Sequence, residues 1–262
     1  MNKKEYKQTK RNIKKEYKNN KKNLKKQYKK EIIQIKNNFS QNKTIKYQKK
    51  NVVNPPMRPL LEEIGNAVTH GIGSIFSIIA FILMLSLSNN NNIKILSSIM
   101  YFIGLFTMFT MSCLYHSFKY GTTVKRLFRR FDYSSIYLLI GATFIPILLI
   151  YIGGTYGIIF AVIQWIIIIT GVTFIAIFGP HKLRALHITL YVTLGWSGLL
   201  LLPNMIKNNI QLFYYILGGG IIYTLGIIPF ALKKKASHFI WHFFVLLGAI
   251  VQFIGIYNCI YK

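Results

Sequence analysis

Ser237-His238-Phe239-Ile240-Trp241-His242 opens the last apolar run of the chain, which continues to about residue 260. A run of about 20 apolar residues is what a helix needs to cross the hydrocarbon core of a bilayer. Six more such runs precede it, at about 64–87, 95–118, 133–152, 157–178, 185–202 and 212–232. The expected fold class is therefore all-α integral membrane, with seven transmembrane helices. Hydrophobic residues make up 52% of the 262, more than a soluble domain of this size needs.

The formal net charge of +27 is unevenly spread. Twenty of the 33 Lys and Arg residues lie before Pro59, which leaves 13 for the rest of the chain. This divides the sequence into a basic, Lys/Asn-rich tail (1–58) and a membrane domain (59–262). The tail carries an eleven-residue repeat: Lys-Lys-Glu-Tyr-Lys at 3–7 returns at 14–18, then as Lys-Lys-Gln-Tyr-Lys at 25–29, with Ile13, Leu24 and Ile35 in the same period. Eleven residues span three helical turns, so the repeat lays a thin Ile/Leu/Tyr stripe along a basic helix. Anionic lipid headgroups are its expected partner, with a solvated tail as the alternative. Charge without a nucleic-acid-binding fold gives no reason to expect nucleic acid. The polar stretch ahead of the first run is too long for a secretory signal.

Loop charge sets the expected orientation. The second-to-third, fourth-to-fifth and sixth-to-seventh loops hold ten basic residues, Lys119, Lys125, Arg126, Arg129, Arg130, Lys182, Arg184, Lys233, Lys234 and Lys235. The alternate side holds three, Lys94, Lys207 and Lys262. The positive-inside rule then puts the amino terminus inside and the carboxyl terminus outside. Cys113 and Cys259 fall on opposite sides of the bilayer and cannot pair.

Ionisable groups inside a span are costly and mark function. His238 and His242, four apart, share a helix face with stems about 6 Å apart, close enough for two imidazoles to reach one metal ion. His116 ends the second span, Asp132 opens the third, and Glu62, Glu63 and His70 sit at the start of the first. All of these span ends lie at the same side of the membrane. Ser112, one turn before His116, can reach the same point. Singly, each has a plainer reading: Asp132 as a cap of the third span or a partner of Arg129 and Arg130, the histidines as interfacial or hydrogen-bonded to neighbouring helices. Together, three histidines, an aspartate and a serine at one depth favour a metal site. His181 and His187 read as interfacial, and Gln164 and Gln252 as interhelical hydrogen-bonders. Gly218, Gly219 and Gly220 read as allowing close helix packing.

These motifs resemble a known family. Ser112-x-x-x-His116, Asp132 and His238-x-x-x-His242 are similar to the signature of the progestin and adipoQ receptors and the alkaline ceramidases. The surrounding residues are closer to bacterial hemolysin III proteins: Glu62-Glu63-Ile64-x-Asn66-x-x-Thr69-His70-Gly71, Tyr115-His116-Ser117, Arg129-Arg130-Phe131-Asp132 and Ser237-His238-x-x-Trp241-His242. The resemblance covers about residues 60–262 and leaves out the tail. It implies a multi-pass protein of the cell membrane with zinc bound by His116, His238 and His242. Asp132 would act on the water at the metal, Ser112 would assist it, and Glu63, Asn66 and His70 would support the ligands. The first functional expectation is a zinc-dependent hydrolase of lipid amides or esters. The rivals are a pore-forming, cytolytic protein, as the family name implies, and a receptor or sensor with structural zinc. Seven apolar spans with no ring of charge argue against a secreted toxin.

Overall fold

The computed structural model describes residues 2–50, 54–232 and 234–262. Lys233, one of the basic loop residues counted above, lies outside them. Among the described residues all regular structure is helical. The chain divides into two units, Met1–Asn54 and Pro55–Lys262.

The first unit is one helix, α1 (Lys3–Lys50, 48 residues), about 72 Å long at 1.5 Å per residue. Tyr6, Ile13, Tyr17, Leu24, Tyr28, Ile35 and Phe39 are all exposed along it. They alternate in steps of seven and four, the spacing that keeps an eleven-residue repeat on one stripe.

The second unit holds seven helices long and apolar enough to span a membrane. They are α2 (Leu60–Ser86), α3 (Asn92–Ser117), α4 (Thr123–Pro146), α5 (Gly154–Phe178), α6 (Arg184–Trp196) continued by α7 (Leu202–Asn208), α8 (Ile210–Ala231) and α9 (Ser237–Ile256). A π turn, Ile147–Ile152, extends α4, because Pro146 lacks the N–H that would continue the ladder. The 3₁₀ turn Ser197–Leu201 joins α6 to α7, and a second π turn, Tyr257–Tyr261, ends the chain.

The third span is the central one. Of its apolar window 61% is buried, against 22% for the fifth and sixth spans, which show most of their surface to lipid. At its crossing with α3, a Cβ on Gly104 would come within 2.7 Å of the Leu138 carbonyl oxygen, so only glycine permits this approach. The crossing sets how closely the end of α3 lies to the start of α4.

The third span also departs most from expectation. Its helix begins at Thr123, capped by the Thr122 hydroxyl, ten residues before the apolar run. Three of the four intervening basic residues, Lys125, Arg126 and Arg130, find partners on the helices or the turn. Arg126 donates to the Gly121 carbonyl and the Thr123 hydroxyl, and Arg130 donates to the Ala176 carbonyl of α5, 2.7 Å away. Lys125 is 1% exposed, so it is not a loop charge. Nor is Asp132 the cap of this helix, since it lies more than two turns inside.

Two smaller expectations meet the structure differently. Gln164 donates to the Ser197 hydroxyl, 2.8 Å, and Gln252 to the Ile216 carbonyl, 3.4 Å, both between helices. His187, read as interfacial, is instead buried, with the Tyr137 hydroxyl 2.9 Å from its Nδ1. Of the three glycines, Gly219 packs against Gln252, whereas a Cβ at Gly220 would meet nothing. Cys113 and Cys259 are unpaired.

Candidate metal centre

The site is built where the starts of α2, α4 and α9 meet the end of α3. α9 begins abruptly. Ala236 takes a left-handed conformation (φ 60°), and the Ser237 hydroxyl donates to the carbonyls of Leu232 and Lys234. Ala236 N–H donates to Glu62 Oε2 of α2, 3.3 Å away. A Cβ on Gly65 would sit 2.8 Å from the Phe239 ring, so α2 and α9 pack closely just beside the histidines. The left-handed alanine costs about 1–2 kcal/mol and fixes the register that aims His238 and His242 inward.

His116, His238 and His242 each offer a ligand nitrogen, all within 4.8 Å of one another. The Nε2 atoms of His238 and His242 are 3.2 Å apart. Two imidazoles bound tetrahedrally at zinc–nitrogen distances of about 2.0–2.1 Å have nitrogens about 3.3 Å apart, so this pair already stands near ligand spacing. His116 Nδ1 is bonded to Glu63 Oε2 at 2.5 Å, while its buried Nε2 has no partner. A carboxylate that accepts a hydrogen bond from Nδ1–H leaves the Nε2 lone pair free, the arrangement that orients a metal-binding histidine. The donor set therefore fits a metal ion.

Glu63 has a second partner. Its Oε1 lies 3.0 Å from Lys125 Nζ, and that ammonium also sits 4.9 Å from the centre of the Tyr115 ring. The Asn66 Nδ2 lies 3.3 Å from His116 Nδ1, and its Oδ1 has no partner. His70 stacks on His242 with ring centres 3.8 Å apart, is 1% exposed, and has neither nitrogen hydrogen-bonded. Ser112 and Asp132 interact through their side chains. All eight sequence-derived residues thus fall in one neighbourhood. His181 remains outside it, exposed at the turn between α5 and α6. Desolvation and the charges of Arg129, Lys182 and Arg130 hold its imidazole below the usual histidine range.

Sequence reasoning placed Lys125 in a loop and Arg58 in the tail. Glu63 was the available signal for Lys125, because a carboxylate inside a span needs a cation. For Arg58 the signal was its spacing of four to Glu62.

A cavity of about 160 Å³ opens from the site. His70, Ser112, Asp132, His238 and His242 line one end of it, and it runs between α4, α6, α8 and α9 past Ile136, Ile140, Leu199, Leu202 and Ile216 to Gln252.

Comparison with known proteins matches residues 59–253 to a family model described as Haemolysin-III related. The chain belongs to this family. Hemolysin-3 of Bacillus cereus is 35% identical over 196 residues, 73% of this chain and 89% of the relative. A Hemolysin-3 homolog of Bacillus subtilis (strain 168) is 32% identical over 201 residues, covering 75% and 93%. A more distant match is the monocyte to macrophage differentiation factor of Homo sapiens, 28% identical over 207 residues, 77% of this chain and 85% of that protein. The haemolysin-III-related match takes in every residue of the candidate centre, the first six spans and the seventh as far as residue 253. It makes this chain a multi-pass membrane protein, and it starts after α1.

Proposed function

We propose that this chain is a zinc-dependent hydrolase of lipid amides or esters working at the inner leaflet. The observation that carries the reading is the course of the cavity. One end holds the polar groups of the candidate centre, and the remainder is mostly apolar, with Thr143, His187, Tyr223 and Thr224 among its polar members, over the length from His238 to Gln252 on α9, about 21 Å by helical rise. That shape suits a molecule with a long hydrocarbon part and a polar linkage at its end.

Bound zinc supplies Lewis acidity, lowering the pKa of water toward about 7 and polarising a carbonyl. Asp132 accepts the proton as the water oxygen attacks the carbonyl carbon, then returns it to the nitrogen or oxygen that leaves when the C–N or C–O bond breaks. The Ser112 hydroxyl donates to the carbonyl oxygen as that atom gains charge. Glu63 keeps the His116 tautomer fixed throughout. Orientation rests on loop charge: with Lys125 set aside as buried, nine basic residues still oppose three. The relatives' names favour a second reading, a cytolytic pore. The predominantly apolar lining of the cavity, with no ring of charged side chains, speaks against it.

Metal analysis of protein purified without chelators tests the first half. Zinc should be present in the wild type and lost in His116→Ala, His238→Ala and His242→Ala. Asp132→Asn should keep zinc while turnover of a lipid amide falls about 100-fold or more. Wild type without zinc ends the reading. Zinc without turnover on any lipid amide or ester moves it to a receptor or sensor with structural zinc.

A further inference from the structure

Three arginines stand near the candidate centre, Arg184 in the cavity lining and Arg58 and Arg129 beside Asp132, and the hydrolytic mechanism uses none of them. Arg58 precedes α2, with its Nε 3.7 Å from Glu62 Oε1. Glu62 in turn holds the backbone of Ala236, one residue ahead of α9. This chain of contacts sets the guanidinium beside the turn that carries His238, and its charge acts on His238, His242 and Asp132. Its Nη1 is buried and has no hydrogen-bond partner. Arg129 lies on α4, one turn ahead of Asp132. Its guanidinium is 5.7 Å from the Tyr133 ring centre, and its buried Nε is likewise unpartnered. Arg184, the first residue of α6, lines the cavity and sits 5.3 Å from the Phe230 ring centre, a ring 6.0 Å from His238.

The second unit has only three carboxylates to set against these cations, Glu62, Glu63 and Asp132. Glu63 is already shared by Lys125 and His116. This neighbourhood therefore carries more fixed positive charge than its own acids neutralise, and buried Nη1 of Arg58 and Nε of Arg129 have no partner. Arginine offers five donors in a planar fork matched to the oxygens of a phosphate or carboxylate. Three forks on three separate elements exceed what the two oxygens of a carboxylate can accept, whereas a phosphate presents oxygens in several directions.

We infer that Arg58, Arg129 and Arg184 bind the phosphate of an anionic lipid headgroup whose chain lies in the cavity. The inference rests on the lipid reading of that cavity, and it needs neither the metal nor turnover.

The test uses the full chain in neutral detergent and compares binding of 1-oleoyl lysophosphatidate with 1-oleoylglycerol, the same chain without phosphate. Lysophosphatidate should bind about tenfold more tightly or better, equivalent to about 1.4 kcal/mol. Arg58→Gln and Arg184→Gln should each remove most of that preference, weakening lysophosphatidate binding much more than oleoylglycerol binding. Arg184 is exposed at the membrane surface, so its variant is the one that keeps the test open if Arg58→Gln does not fold. Equal binding of the two lipids, or a preference that survives in both variants, overturns the inference. So does oleate binding as tightly as lysophosphatidate, which would make the site a carboxylate site. Inorganic phosphate displacing the lipid at comparable concentration would make it a soluble-anion site. Wild type that lacks zinc but keeps the phosphate preference sinks the hydrolase alone. Failure of both oleoyl lipids to bind sinks the lipid cavity itself.

Discussion

Glu63→Gln separates two roles that meet in one side chain. Glu63 bonds His116 Nδ1 at 2.5 Å and Lys125 Nζ at 3.0 Å, with its own side chain 12% exposed and that of Lys125 1% exposed. Removing the carboxylate charge leaves a buried ammonium with no counter-ion, and breaking a buried pair in this way costs about 3–5 kcal/mol. It also replaces the carboxylate behind His116 with a neutral amide whose single oxygen must serve both His116 and Lys125, a loss worth about 10–100-fold in metal affinity. The two effects part in a cycle with Lys125→Met. Deleting both charges should restore most of the stability, because no unpaired ion remains. It should not restore metal affinity, because His116 still lacks its carboxylate. Unfolding in detergent measures the first quantity and zinc competition against a chromogenic chelator the second. The reasoning fails if the double variant is no more stable than Glu63→Gln, or if Glu63→Gln binds zinc as the wild type does.

Three further outcomes are expected. Gly104→Val should destabilise the bundle by about 1–3 kcal/mol and separate Ser112 from Asp132, so turnover should fall more than zinc content; unchanged unfolding would mean that the α3–α4 crossing yields. In intact cells a membrane-impermeant thiol probe should label a cysteine at Asn208 and not one at Thr122, and the reverse pattern would turn the protein over. We propose that α1 lies on anionic lipid. The isolated segment 1–50 should bind anionic vesicles at low salt and release them as salt rises, while its deletion leaves zinc content intact; no binding at low salt would favour a solvated tail.

The spans were legible because a bilayer demands long uninterrupted apolar runs, and the histidines because an ionisable residue stands out against that background. What stayed hidden depended on partners far away in sequence. The third span was expected to start at residue 133 because Lys125, Arg126, Arg129 and Arg130 look like loop. Helix α4 nevertheless starts at Thr123, since Glu63 takes Lys125 and the Ala176 carbonyl takes Arg130. His187 was taken as interfacial because its partner is a tyrosine hydroxyl 50 positions away. Arg58 was counted with the tail because it stands before Pro59, although it belongs to the second unit.

A set of buried polar residues can be a structural network or a binding site, and the distribution of unpaired atoms distinguishes the two. Native networks satisfy their members almost completely. Among the described residues thirteen buried side-chain atoms lack a hydrogen-bond partner, and seven of them belong to Arg58, Asn66, His70, His116, Arg129 and His242. The engaged groups hold the cluster together, Glu63 with His116 and Lys125, and Ser112 with Asp132. His116 Nε2, His242 Nδ1 and both nitrogens of His70 have no partner. Helix packing alone gives no reason to gather more than half of the unsatisfied atoms around one cluster. A shell that fixes its ligands through some groups and keeps others for a guest does.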